Sequence, residues 1–339
     1  MSPNRALVKV EDLVKHFVTD LGQVVRAVDG VTFDILRGET LGLVGESGCG
    51  KTTLGRLLCR FHEPTHGRVI FDGVDLTGLG TWELRQLRPR IQMIFQDPFA
   101  SLNPHKTIEQ AIGLPLRIRG YGTRNAIRDR VIELMQLVGL DVIHAGRFPH
   151  QLSGGQQQRV GIARALAAQP DFIVADEPVS SLDVSIQAQI LQVLRRLQAQ
   201  FRLTMLFVSH DISVVSHISH RIAVMYLGKI VEVGHVRSVL ERPQHPYTQA
   251  LLAAVPKIEP APPSNHLRLS GDPPSPLNVP PGCRFHPRCF LELPDECRKV
   301  EPDLREIAPS HNAACHLAAT KGADAHFPRK LQKGDKETM

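Results

Sequence analysis

The chain has 339 residues, 42% of them hydrophobic, and a formal charge of +6. Its mean hydropathy is −0.11. This is enough chain for one large α/β domain plus an appendage, with the balance of a soluble globular protein. No apolar run approaches the ~18 residues needed to span a bilayer, and Met1-Ser2-Pro3-Asn4-Arg5 lacks the apolar core of a secretory signal. Basic residues such as those of Arg329-Lys330-Leu331-Gln332-Lys333 read as solvated charge. Basic and aromatic residues do not alternate, so no nucleic-acid partner is expected. The expected location is cytosolic, with any membrane attachment supplied by a partner.

Residues 5–38 read as antiparallel strands that open the domain. Val24-Val25-Arg26-Ala27-Val28 and Val31-Thr32-Phe33-Asp34-Ile35 are β-rich runs separated by Asp29-Gly30, a hairpin signal. Thr40-Leu41-Gly42-Leu43-Val44 reads as a short buried strand, and Leu54 to Arg60 as helix. Between them lies Gly45-Glu46-Ser47-Gly48-Cys49-Gly50-Lys51-Thr52-Thr53, which fits the phosphate-binding pattern G-x-x-x-x-G-K-[ST]. Gly45, Gly48 and Gly50 let successive N–H groups turn inward as an anion nest, and the helix N-terminus adds partial positive charge. Lys51 is expected on the β- and γ-phosphates of ATP and the Thr52 hydroxyl on Mg²⁺. Ser47, Cys49 and Thr53 complete the loop expected to touch the nucleotide.

Gln96 follows the strand-like Ile91-Gln92-Met93-Ile94-Phe95, where its amide can reach Mg²⁺ or a water. From Thr107 to about Leu140 a helical region carries Ile127, Val131, Leu134, Met135 and Val138 on one face. Ser153 is a natural N-cap for a helix running from Gly154 through Leu166, whose exposed N–H groups make a second anion site without a lysine. Phe172-Ile173-Val174-Ala175 ends in Asp176-Glu177, placing two carboxylates at the carboxyl edge of a parallel sheet. Asp176 is expected beside Mg²⁺ and Glu177 beside the attacking water. Val184 to Gln200 is a further amphipathic helix. Thr204-Met205-Leu206-Phe207-Val208 then ends in Ser209-His210, a histidine placed for the γ-phosphate. No internal repeat is visible, which argues against two fused ATPase domains.

In this order the segments resemble the ATP-binding subunit of an ABC transporter. Gly45 to Thr53 matches the P-loop, Gln96 the Q-loop, Leu152-Ser153-Gly154-Gly155-Gln156 the LSGGQ signature, Ser181-Leu182-Asp183 the D-loop and His210 the switch histidine. Phe17 stands where the family stacks an aromatic ring on adenine, often tyrosine. The resemblance implies an α/β P-loop ATPase domain over about residues 5–240, with an antiparallel β subdomain and a helical subdomain at 97–155. It also implies that ATP lies between the P-loop of one domain and Ser153, Gly154, Gly155 and Gln156, with Asp183, of a second ATPase subunit, a paralogue or another copy.

After His245-Pro246-Tyr247-Thr248 the character changes. Residues 256–281 are dense in proline and read as an irregular linker. Cys283, Cys289, Cys297 and Cys315 follow with spacing C-x5-C-x7-C-x17-C. Disulfides are not expected in a cytosolic chain. The spacing lacks paired C-x2-C units and favours a [4Fe–4S] cluster, while His286, His311 and His316 keep zinc open and free thiols are a third reading. Cys59, and Cys49 within the P-loop, read as small packing residues.

His245 to Thr248 together with Gly282-Cys283-Arg284-Phe285-His286-Pro287-Arg288-Cys289 resembles the C-terminal extension of oligopeptide and dipeptide importer ATPases, at 241–318, with 319–339 expected as a disordered tail. The resemblance implies two transmembrane permease subunits, an extracytoplasmic peptide-binding protein and a peripheral place on the cytoplasmic face of the plasma (inner) membrane. Nickel and glutathione importers share the extension, so the cargo alternatives stay open. A soluble ABC ATPase of repair or translation is the competing class, disfavoured because neither a coiled-coil insert nor a tandem domain is present.

Overall fold

Strands buried on both faces read as unbroken apolar runs, and this chain has several. The computed structural model describes residues 5–255 and 271–318. The strands are β1 (Ala6–Val18), β2 (Val24–Leu36), β3 (Thr40–Val44), β4 (His66–Phe71), β5 (Val74–Asp75), β6 (Ile91–Ile94), β7 (Phe172–Asp176), β8 (Thr204–Ser209), β9 (Arg221–Tyr226), β10 (Lys229–His235), β11 (Arg305–Ala308) and β12 (His311–Ala313). One sheet has the order β2-β1-β4-β5 and is antiparallel. The other has the order β11-β12-β10-β9-β3-β8-β7-β6. In it β9, β3, β8, β7 and β6 are parallel, and β10, β12 and β11 join antiparallel.

The period-two side-chain rule divides the core. Phe172, Val174, Leu206 and Val208 pack toward the antiparallel sheet and the helix Lys51–Leu58, while Ile173, Ala175, Met205 and Phe207 face the other helices. The second group meets the helices Ile108–Ile118, Arg124–Leu137, Gly154–Ala167 and Val184–Phe201. Val131, Leu134, Met135 and Val138 are buried there and Ile127 packs against them, as the helical spacing predicts.

Asp29-Gly30 is not a hairpin. β2 runs through it, and the turn between β1 and β2 lies instead at Thr19–Gln23. Leu13 pairs with Val31 and Val14 with Asp29, so Gly30 is an inserted bulge residue, with a positive φ of 73°. The bulge leaves Asp29 to accept from His16 Nε2 at 2.8 Å and from the buried Arg284 guanidinium. Burial raises the Asp29 carboxyl, but these two donors outweigh it and hold it below the usual range.

The extension is not a separate appendage. β12 pairs with β10, so residues after 300 complete the core sheet. Glu232 on β10 is fully buried and accepts from Gln244 N–H at 2.8 Å, from His245 N–H at 2.9 Å and from His311 Nε2 at 2.7 Å. Part of the proline-dense linker and the expected tail at 319–339 lie outside the described residues.

Candidate functional site

The phosphate loop leaves β3 and enters the helix Lys51–Leu58, the strand–loop–helix order that its sequence requires. Gly50 sits at φ 107°, and a Cβ there would meet Ala27 O at 2.0 Å, so no other residue fits without moving the loop. The loop borders a cavity of about 740 Å³. Phe17, Ser47, Gly48, Gly50, Lys51, Thr52, Thr53, Gln96, Glu177 and His210 all line it. Gly45 and Cys49 do not: Gly45 lies against Met225, and Cys49 is buried beneath the loop. The Cys49 side chain packs into the core, so only its backbone is left to face a nucleotide.

Lys51 is buried and donates to Gly45 O at 2.7 Å and Glu46 O at 2.8 Å. Its ammonium is thus held by the loop's own carbonyls, beside the phosphate nest. The Thr52 hydroxyl donates to Asp176 Oδ1 at 3.1 Å. Asp176 is 3% exposed. Burial pushes its carboxyl above the usual range, against the Thr52 hydrogen bond. A buried carboxylate with a single hydroxyl donor, bonded to a residue of the phosphate loop, suits a cation, and Thr52 and Asp176 fit Mg²⁺ in that sense.

Glu177 directly follows β7 and lies in the left-handed region, at φ 44°. Its N–H donates to Val208 O at 3.0 Å, which fixes the turn. Strain of this kind costs about 1 kcal/mol or more and turns the side chain out of the sheet into the cavity. There its carboxylate accepts from Gln96 Nε2 at 3.1 Å and stands 3.4 Å from His210 Nδ1. Three residues separated by up to 114 positions in sequence (210 − 96) therefore meet at one carboxylate. Phe17 also lines the cavity, edge-on to His62 at a centroid distance of 5.6 Å.

Ser153 caps the helix Gly154–Ala167 as its sequence predicts: its N–H donates to Gln156 Oε1 at 3.0 Å and its hydroxyl accepts from Gln156 N–H at 3.4 Å. Ser153 and Gly154 are exposed, and none of Ser153, Gly154, Gly155, Gln156 or Asp183 lines the P-loop cavity. Gly155 packs so tightly on Ile186 that a Cβ would approach it to 2.5 Å. Asp183 is an exposed N-cap of the helix Val184–Phe201. Sequence reasoning missed Val25, Ala27, Ser180 and Pro276, which complete the cavity wall together with Ser181 of the D-loop. Pro276 accepts from Arg26 N–H at 3.2 Å and comes from the linker, where no motif marks it.

The four extension cysteines are free thiols. Burial pushes Cys283 and Cys289 up to about 11, and the charges of the neighbouring cysteines add to the rise. They lie within electrostatic reach of one another. Yet among the described residues no group of three or more His, Cys, Asp or Glu side chains is gathered closely enough to hold a metal ion. Electrostatic coupling extends further than ligation, so both observations stand. The expectation of a ready-made iron–sulfur or zinc centre is not met. His311 is engaged by Glu232, His286 by Cys283 O at 2.9 Å and His316 by Val300 O at 2.9 Å. Among the described residues no helix is long and apolar enough to cross a membrane.

Comparison with known proteins places these features. The ABC transporter family profile matches residues 28–180, and a profile for the oligopeptide/dipeptide transporter C-terminal region matches 231–297. The oligopeptide transport ATP-binding protein AppF of Bacillus subtilis is 48% identical over 320 residues, covering 92% of this chain and 97% of that protein. A putative peptide import ATP-binding protein of Brucella ovis is 50% identical over 309 residues, covering 91% and 97%. Among solved structures, the dimeric ATP-binding cassette MJ0796 in a post-hydrolysis state with ADP and phosphate is similar. It shows a TM-score of 0.63 and 33% identity over 68% of this chain and 99% of that one. The chain belongs to the ABC transporter ATP-binding proteins and carries the C-terminal region of their oligopeptide/dipeptide branch.

Proposed function

We propose that this chain is the ATP-hydrolysing subunit that powers import of di- and oligopeptides through a membrane permease. The observation that carries the catalytic part is the meeting of Gln96 and His210 on the Glu177 carboxylate, in the cavity that also holds Lys51 and Thr52. The peptide cargo rests on the relatives, which are named for oligopeptide transport and peptide import.

ATP binds with its triphosphate on the loop N–H groups and its base toward Phe17. Lys51 leaves the Gly45 and Glu46 carbonyls for the β- and γ-phosphates. Glu177 takes up the proton of the attacking water, Gln96 orients that carboxylate, and His210 holds the γ-phosphate. Mg²⁺, when bound, supplies charge neutralisation at the phosphates, and Thr52, Asp176 and Gln96 are the residues that would hold it. A second ATPase subunit provides Ser153 to Gln156 and Asp183 across the interface, because in this chain they lie outside the cavity. The exposed apolar side chains Phe99, Leu114, Ile118 and Tyr121 of the helical region suit a permease contact, which would place the chain peripherally on the cytoplasmic face of the membrane.

The four cysteines are proposed, as a finer reading, to take up a [4Fe–4S] cluster. What supports it is the spacing of Cys283, Cys289, Cys297 and Cys315 within one short segment. Anaerobic purification followed by iron and acid-labile sulfide analysis decides it: about four of each per chain supports the cluster, and neither removes it.

Cargo is tested by uptake of labelled di- and oligopeptides in cells carrying Glu177→Gln at the native locus. Loss of uptake is expected. Unchanged peptide uptake with loss of nickel or glutathione uptake would move the cargo to that solute.

A further inference from the structure

The two motifs that mark the extension, His245-Pro246-Tyr247-Thr248 and Cys283 to Cys289, have no part in the chemistry above. Both end on one residue of the phosphate loop. Arg288 is almost fully buried and donates both terminal nitrogens to the Glu46 carboxylate, at 2.7 and 3.0 Å. Tyr247, fully buried, accepts from the Glu46 N–H through its hydroxyl at 2.8 Å. The Glu46 carbonyl accepts from Lys51. The same carbonyl accepts from Cys49 N–H at 3.3 Å, so every polar group of Glu46 is engaged, and two of its four partners come from the extension. Glu46 is the second residue of the loop that cradles the triphosphate.

We infer that Arg288 and Tyr247 are positioning residues for ATP, through which the C-terminal extension sets the conformation and charge of the phosphate loop. This rests on the chain being an ATP-binding subunit. The bidentate guanidinium fixes the carboxylate in plane. It also neutralises a negative charge that would otherwise stand beside a polyanionic ligand. The aromatic cluster of Tyr226, Tyr247 and Phe285, with ring centroids 4.7 to 5.5 Å apart, holds both side chains to the core. Arg288 directly precedes Cys289, so a backbone shift at that cysteine reaches the loop through one side chain.

The test is a double-mutant cycle on the full chain, with ATP affinity measured by calorimetry and turnover measured at saturating ATP. Arg288→Ala is expected to raise the ATP Kd about tenfold, as loss of a charged hydrogen-bonded pair does, with turnover at saturating ATP changed less than about twofold. Arg288→Lys keeps the charge without the fork and is expected to raise Kd about threefold. In a Glu46→Gln background Arg288→Ala should cost no more than about threefold, because its route to the loop is gone. ATP affinity within twofold of wild type in Arg288→Ala would overturn the inference, as would an undiminished tenfold loss in the Glu46→Gln background. If Arg288→Ala does not fold, the same comparison is made with Arg288→Lys. Failure of the wild-type chain to bind ATP would instead refute the ATPase reading itself.

Discussion

Glu232 gives the sharpest structural prediction, because every group that touches it is a donor. One oxygen accepts from Gln244 N–H and His311 Nε2, and the other from His245 N–H. Glu232→Gln must turn an NH2 group toward one of these oxygen positions. His311 can change tautomer and accept, but a backbone N–H cannot, so one buried N–H is orphaned in either rotamer. That costs about 1–3 kcal/mol. Glu232→Ala strands all three donors and removes one side of a buried pair, a loss of about 3–5 kcal/mol. The loss falls where β10, the His245 turn and β12 join, so the extension should loosen first. Urea unfolding followed by circular dichroism gives the free energies, and limited proteolysis reads release of residues beyond 240. Glu232→Ala within 1 kcal/mol of wild type, with the extension still protected, would refute the reasoning.

Three further outcomes are expected. Glu177→Gln keeps ATP binding and lowers turnover by at least about a hundredfold, the low end for loss of a general base; phosphate release measures it, and rapid turnover would contradict the assignment. Burial raises the Asp176 carboxyl in the nucleotide-free fold. The folded state then holds the proton above pH 3.8 while the unfolded chain releases it, so this group lowers stability as pH rises through the raised value and at neutral pH. Asp176→Asn should therefore raise the melting temperature at pH 7 without nucleotide, narrow its advantage in acid and abolish Mg²⁺-dependent turnover; a lower melting temperature at pH 7 would refute this. Burial pushes Cys49 above the usual thiol range and Cys59 up to about 12. Neither should react with iodoacetamide at pH 7.5 in the native chain, and mass spectrometry showing rapid labelling of Cys49 would contradict its packing role.

Much of the site was legible because each part ends an apolar strand or starts a helix. Asp176-Glu177, His210 and the loop at Gly45 to Thr53 follow β7, β8 and β3, and parallel strands bring their carboxyl ends to one edge. Ser153 was legible through its cap. Asp29-Gly30 misled because a bulge and a two-residue turn use the same left-handed glycine; only the partner strand distinguishes them. β11 and β12 were missed because strands of four and three residues carry no resolvable alternation. The hold of Arg288 on Glu46 spans 242 positions, and nothing local to either residue announces it. Glu232 is a single carboxylate in an apolar strand, with no local sign of its role. Its burial depends on donors that arrive from 12 to 79 residues later.

The central claim, that ATP hydrolysis in this chain is harnessed to peptide movement, is tested most directly by measuring phosphate release from the native transporter. The complex is captured through a tag on this chain and reconstituted in lipid, with and without peptide-loaded binding protein. The account predicts a rate that rises several-fold with peptide and disappears in the Glu177→Gln complex. A rate indifferent to peptide, or one that survives Glu177→Gln, would contradict it.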